Sequence, residues 1–480
     1  MTSLLRCFHA PQHWRQTCVY SLPTHNLPMR RFSPLLLALG LTAPALAQTK
    51  PATTPNPLIR QMVEEISEKN LHDDVDKLVS FGTRHTLSDT KSKKRGIGAA
   101  RSWVEGEFRK YSKASGGRLK VEQDTFTVKP DGRRINQPVL MANVMATLPG
   151  TDPTDKRVFI VSGHIDSRVT DVMNATADSP GANDDGSGTV AVMELARVMS
   201  KQQFPATIIF VAVQGEEQGL YGSTHMARRA RKEGWNLVAM LNNDIMGNST
   251  GHDPEIKNTT QLRVFSEGVP ATETTDEAKI RRTLSSENDS PSRQLARYAR
   301  EATKQYVPGH EVVLEYRPDR FLRGGDHTPF NQQGFTAVRF SEVNEDFRHQ
   351  HQDVRQESGE EYGDLAKFMD FAYLRKNTGV NLAILAALAL APAAPESVGV
   401  LTANLTNRTQ LQWTAPAAGE KPAGYYVLMR ETSAPEWQQK FFVTDTKADL
   451  PHSKDNFIFG VVSVDAEGHE SLPVLPKPVR

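Results

Sequence analysis

Cysteine is almost absent from this chain. Cys7 and Cys18 are the only two in 480 residues, and both stand near the N-terminus. Everything downstream lacks a thiol, which excludes a disulfide scaffold, a cysteine nucleophile and a thiolate metal site there. Excess charge of one sign is also missing: 57 Lys and Arg against 56 Asp and Glu leave a net charge of +1. No half of the chain is strongly basic, so nothing points to nucleic acid or to an anionic membrane surface. A long apolar run is missing too. The longest at the N-terminal end, Pro34 to Leu41, is well short of the ~20 residues that span a bilayer. No internal repeat is evident.

That short run does fit an export signal. "MRRFSPLLLALGLTAPALAQ" begins at Met29 with the basic pair Arg30 and Arg31, continues through the apolar run, and ends in Ala45-Leu46-Ala47, an A-x-A cleavage site. The expectation is a signal peptide over 29–47, a mature chain starting at Gln48, and a periplasmic or secreted location. Residues 1–28 then read as an upstream start, because a signal sequence normally opens its chain. Both cysteines fall in this dispensable part, so any metal site must use His and carboxylates.

The composition, 38% hydrophobic and 24% charged, is that of a soluble globular protein, and the length predicts more than one unit. Residues 48–58 ("QTKPATTPNPL") read as a Pro/Thr linker. Residues 59–112 carry apolar side chains at helical spacing. Beyond them "RVFIVSG" (157–163), "ATIIFVAVQ" (206–214), "LVAMLNND" (237–244) and "TAVRFSE" (336–342) read as buried strands. "GTVAVMELARVMS", "GLYGSTHMARRAR" and "SRQLARYAREATKQY" read as the helices between them, and a long helix is expected over 362–390. Such alternation predicts a three-layer α/β domain over 59–390, its sheet mostly parallel and covered by helices on both faces. A linker near 390–397 follows. Residues 397–480 change texture, with short alternating segments between Pro/Gly turns, and predict a small all-β sandwich.

Chemistry gathers at the strand ends. The first strand runs into His164-Ile165-Asp166, the second into Glu216-Glu217 and the third into Asp244; "GGDH" places His327 before the fourth. Ligands in open α/β sheets sit beyond the carboxyl ends of the strands, so these residues can converge. The loop "SPGANDDGSG" adds Asp184 and Asp185, side by side where a helix is about to pack. Repulsion and desolvation oppose that pairing unless a cation is bound. Two His and three carboxylates without Cys suit zinc or a harder divalent ion. If Asp184 bridges two ions, the pair can activate a shared water, and Asp185 is left to cap the helix.

Taken in order, "HID", "GANDDGSG", "GEEQGLYGS", "NND" and "GGDH" resemble the M28 family of dizinc aminopeptidases over roughly residues 60–390. The resemblance implies two zinc ions per chain and peptide substrates. It makes His164, Asp184 and Asp244 the ligands of one zinc, and Asp184, Glu217 and His327 those of the other. It makes Glu216 the general base and Asp166 the carboxylate that orients His164. One position departs from the pattern: Asp326 stands where some relatives carry a tyrosine that aids the oxyanion, which leaves Tyr221 and Arg323 as candidates for that donor. Trp413 and the ending "FGVVSVDAEGHES" resemble a fibronectin type III module, which implies no activity of its own.

The expected function is an exported dizinc aminopeptidase. Competing readings are an M28-like carboxypeptidase or dipeptidase, a single-zinc glutaminyl cyclase, and an inactive binding ectodomain. Other residues take structural readings. His349 and His351 in "FRHQHQD" are expected in a charged loop near the site rim. Arg317, Arg320 and Arg323 are expected in ion pairs, with a substrate carboxylate clamp as the alternative, the use a carboxypeptidase or dipeptidase would make of them, and "GTRHT" (82–86) has no assigned chemistry.

Overall fold

A computed structural model describes residues 50–480. The segment 1–47, with the export signal and both cysteines, lies outside the described residues. Three helices come first: α1 (Pro57–Glu64), α2 (Glu68–Val79) and α3 (Ile97–Ala114). Asn56 and Ser67 cap the first two by accepting backbone N–H groups.

The sheet that follows contains β1 (Lys120–Val128), β2 (Val139–Leu148), β3 (Arg157–His164), β4 (Thr207–Val213), β5 (Asn236–Asn243), β6 (Gln261–Phe265), β7 (Glu311–Glu315) and β8 (Ala337–Glu342). Their order in space is β1-β2-β4-β3-β5-β8-β6-β7. The central run β4-β3-β5-β8 is parallel, whereas β1, β2 and the β6–β8 pairing are antiparallel. The parallel centre matches the expectation and the flanks make the sheet mixed.

Helices cover both faces. Phe159, Val161, Phe210 and Leu241 point to one core with α4 (Gly186–Met199) and α9 (Phe371–Leu390). Ile160, Ile209, Val211 and Met240 point to the other with α5 (Tyr221–Glu233) and α8 (His327–Gln332). With both faces buried, the central strands read as continuous apolar runs. Helices α6 (Thr275–Leu284) and α7 (Pro291–Tyr306) lie between β6 and β7 in sequence. The expected helix 362–390 begins later, at Phe371, where Asp370 caps it by accepting the Tyr373 N–H. Ahead of it β9 (Arg355–Glu357) and β10 (Glu360–Tyr362) form a short hairpin.

The C-terminal part is the expected sandwich. One sheet is β15 (Lys447–Leu450), β12 (Thr409–Thr414), β11 (Glu396–Leu401) and β17 (Lys477–Val479); the other is β14 (Gln439–Val443), β13 (Gly424–Glu431) and β16 (Phe457–Val464). Trp413, Tyr425, Val427 and Val461 fill the space between.

Neither expected linker is free. Ala52 N–H donates to Ala466 O, Asn56 N–H to the Tyr306 hydroxyl at 3.1 Å, and the Asn56 amide meets His469 at 2.9 Å. Residues 50–56 therefore run between the α/β part and the sandwich. At the other boundary, Arg157 reaches the Ala391 carbonyl at 2.7 Å and pairs with Asp155. A buried ion pair joins Asp289, just ahead of α7, to Arg430 of β13 at 2.8 Å. All described residues accordingly belong to one compact unit.

Candidate metal centre

His164 is the last residue of β3, Glu216 and Glu217 follow β4, and Asp244 follows β5. Parallel pairing of these three strands brings their carboxyl ends to one edge. Asp184 and Asp185 arrive there at the start of α4, joined by a cis peptide bond. That helix can press this close because Gly163 faces Gly188: a Cβ on Gly163 would fall on the Gly188 backbone.

Asp184 and Asp185 then divide. Asp185 turns inward, accepting the N–H groups of Gly188 at 2.9 Å, His164 at 2.8 Å and Ile245 at 3.3 Å. It is the helix cap that the sequence suggested, and it also ties two strand ends together. Asp184 turns to the cleft, one oxygen 3.2 Å from His164 Nε2 and the other 2.9 Å from His351 Nε2.

Two donor groups result. His164, Glu216 and Asp244 make one; Asp184, Glu217 and His351 make the other, and in each the candidate donor atoms lie within 4.8 Å of one another. His351 Nε2 is also 2.9 Å from Glu217 Oε1. Four carboxylates, Asp184, Asp185, Glu217 and Asp244, are buried here, and Glu216 is half-buried beside them. Burial opposes charge on His164, yet Asp185, Asp184, Glu216 and Asp244 hold its pKa well above the usual imidazole range. Burial together with Asp244, Glu217 and Asp326 pushes Glu216 well above the usual carboxylate range. Burial is overcome at Asp184, where His351 and His164 hold the pKa well below that range.

The expected ligand His327 is not in either group. It opens α8, but its Nε2 lies 2.8 Å from the Pro318 carbonyl and 3.7 Å from Asp319. The reason is the ion pair behind Asp244: Arg339 holds Asp244 at 2.8 Å and Asp319 at 3.4 Å, and His327 packs against that buried pair. His351, given a rim role from sequence, stands in its place. The "HQHQD" tract was the available signal.

Asp166 also works differently from expectation. Its backbone carbonyl, not its carboxylate, is the near partner of His164 Nδ1, at 3.0 Å against 3.8 Å. A carbonyl there fixes the ring with Nε2 toward the cleft. The carboxylate instead accepts Gly215 N–H at 3.0 Å, Glu216 N–H and Glu217 N–H at 3.3 Å, and the Thr86 hydroxyl at 2.9 Å. It fixes the turn that carries Glu216 and Glu217. The unassigned "GTRHT" supplies more of this frame: Arg84 is buried and donates to the carbonyls of Ile165 at 2.7 Å and Gly181 at 2.8 Å. Tyr221 is spent on Asp131, at 2.7 Å.

The donor groups open into a cleft of about 620 Å³. Residue Gln350 on its wall donates to Asp184 at 2.9 Å, and Arg168 to Glu217 Oε2 at 2.9 Å.

Buried His and carboxylate donors at the carboxyl edge of a mixed α/β sheet define a metal-dependent hydrolytic site. Comparison with known proteins narrows the class. Residues 143–370 match the model of peptidase family M28. A probable zinc metalloprotease of Leptosphaeria maculans is 46% identical over 443 residues, covering 92% of this chain and 100% of that protein. A probable zinc metalloprotease of Pyrenophora tritici-repentis is 46% identical over 428 residues, with 88% of each chain covered. Among solved structures, the LapA aminopeptidase of Legionella pneumophila superposes with a TM-score of 0.50 at 20% identity, over 72% of this chain and 78% of that one. The chain belongs to peptidase family M28.

Proposed function

We propose that this protein is an exported aminopeptidase that uses two zinc ions and water to release N-terminal residues from peptides. The observation that carries the reading is Asp184, whose two oxygens face two different histidines, His164 at 3.2 Å and His351 at 2.9 Å. The donor set fits the metal: each half offers one imidazole and carboxylates, with no thiolate, and their negative charge is buried. His164, Asp184 and Asp244 would hold one ion; Asp184, Glu217 and His351 would hold the other. When bound, such a pair supplies Lewis acidity toward the peptide carbonyl and acidifies water.

The chain's own groups supply the rest. Glu216 shares the space of His164 and Asp244 without being needed as a bridge. Its carboxylate takes a proton from the attacking water and returns it to the leaving amine. Asp166 keeps it there by binding the Glu216 N–H at 3.3 Å. Arg339 fixes Asp244 at 2.8 Å. The filled second donor group favours hydrolysis over a single-zinc cyclase, and Glu216 favours an enzyme over an inactive ectodomain. Export agrees with the signal over 29–47, with a mature chain from Gln48 in the periplasm or outside the cell.

The test is Glu216→Gln. Turnover of a leucyl substrate should fall by ~10²–10⁴-fold, the range for loss of a general base, while zinc content stays at two per chain. Near-normal turnover would remove Glu216 from the mechanism. One zinc in the unaltered protein would remove the bridge.

A further inference from the structure

The charge on the cleft wall is one-sided. Apart from the donor carboxylates themselves, every charged side chain lining the cleft is basic: His351 and the arginines Arg134, Arg168, Arg320 and Arg323. Two of these arginines are occupied. Arg168 binds Glu217 at 2.9 Å and the Val169 carbonyl at 3.1 Å. Arg320 is mostly buried between Asp319 at 3.3 Å and Glu345 at 3.2 Å.

Arg134 and Arg323 use only Nη1. Arg134 is exposed, donates through Nη1 to the Glu217 carbonyl at 2.6 Å, and has no carboxylate partner among the described residues. Arg323 touches Glu345 at 3.1 Å, but that one carboxylate also serves Arg263 and Arg320. Among the described residues its one other side-chain hydrogen bond is to Gln350 Oε1, at 3.4 Å. Among the described residues, Nε and Nη2 of both guanidinium groups have no protein acceptor, and both side chains line the cleft. Each is also one step from the donor set, Arg134 through Glu217 and Arg323 through Gln350, which binds Asp184 at 2.9 Å. A guanidinium with two free N–H edges matches a carboxylate in geometry and charge.

We propose that Arg134 and Arg323 form a carboxylate-binding subsite beside the scissile bond, so that the cleft selects peptides with a carboxylate there. This rests on the peptidase reading and names its substrate class. A short peptide offers that group in two ways, as the free C-terminus of a dipeptide or as an Asp or Glu side chain.

The experiment uses the zinc-loaded full-length mature protein and compares kcat/KM within two pairs: Leu-Ala against Leu-Ala amide, and Leu-Glu amide against Leu-Gln amide. A neutral leucyl anilide is the reference. The carboxylate member of at least one pair should win by about 10-fold or more, the scale of a charge-assisted hydrogen bond. Preference in the first pair identifies the C-terminus as occupant, in the second the side chain. In R134Q and R323Q that ratio should fall toward one, mainly through KM, and R323K should restore part of it. Added salt should shrink the preference, since the subsite is open to solvent. Equal rates within both pairs, with the anilide cleaved, would overturn the subsite and leave the peptidase reading standing. A preference that survives both arginine variants would overturn the assignment to these residues. Failure to cleave even the anilide would overturn the peptidase reading and the subsite with it.

Discussion

Replacing His351 and replacing His327 should have different consequences. His351→Ala removes a donor from the Asp184–Glu217 group and should lower zinc content and turnover together. His327→Gln keeps a polar partner for the Pro318 carbonyl, 2.8 Å away, and should keep both metals at a stability cost of about 1–3 kcal/mol, the scale of a disturbed buried hydrogen bond. Zinc analysis beside thermal unfolding separates the two; metal loss in the His327 variant alone would reinstate the sequence assignment. At this scale the sequence was legible where charge stood in an unfavourable place. Asp184 and Asp185 made little sense without a cation, and Glu216-Glu217 and Asp244 followed obvious strands. His351 lies in irregular chain beyond β8, where no period marks its direction. His327 sat at a helix start after a glycine pair and looked better placed, because the Arg339–Asp319 pair that claims its surroundings is assembled only in the fold.

Secondary elements carry the site through contacts that sequence patterns do not encode. Arg84 lies between α2 and α3 in sequence, yet it holds the carbonyls that follow β3 and precede α4. Burial lowers its pKa to about 10, partly offset by Asp364, Asp185, Asp166 and Asp184, so it remains charged at neutral pH. Arg84→Met should leave those carbonyls unpaired and cost about 1–3 kcal/mol for each one that water cannot reach. Urea unfolding would measure it, and a change under 1 kcal/mol would show that the loop holds itself. The turn between α7 and β7, packed on α9, carries a pH dependence of its own. His310 is buried against Asn377 at 2.7 Å and Tyr373, and burial, with Lys376 nearby, pushes its pKa down to about 4. Between pH 6.5 and 4 the unfolded chain binds this proton and the folded one does not. Stability should therefore fall as pH drops through that window, by at most about 3.4 kcal/mol at 1.36 kcal/mol per unit. His310→Gln should flatten that part of the pH–stability curve; an unchanged curve would contradict the assignment. The central strands and the helices between them were legible from their apolar runs. The flanking strands β1, β6 and β7 and the delayed start of α9 were not, since half-buried strands carry weaker patterns and the cap at Asp370 is set by its contact with the Tyr373 N–H.

On the scale of the whole molecule, the texture change near residue 397 was read correctly as a new architecture, but not as a surface that the rest of the protein needs. Arg430 and Asp289 are both buried, and the turn after β13 adds Pro435, whose carbonyl accepts from Arg297 at 2.6 Å and the Tyr316 hydroxyl at 2.9 Å. Glu436 pairs with Arg300 at 2.8 Å. A chain ending near Ala393 retains every donor residue but leaves Asp289 without Arg430. Asp289 keeps Arg297 at 2.9 Å, so this chain should bind zinc and cleave a small substrate while unfolding at lower denaturant, because surface that the sandwich covered is opened to water. The intact protein should melt in one transition; two well-separated calorimetric peaks would mean the parts are independent. Arginine pairings such as these are invisible in sequence because partners this far apart share no local pattern. The hydrogen bond from Ala52 to Ala466 has a temporal consequence. On a ribosome or a translocation channel the first half of that bond emerges at the beginning and the second near the very end. Asn56 can cap α1 and meet Tyr306 earlier, but Ala52 must wait for its partner through most of the chain's synthesis, and that end of the seam closes only when the last strands of the sandwich have been made.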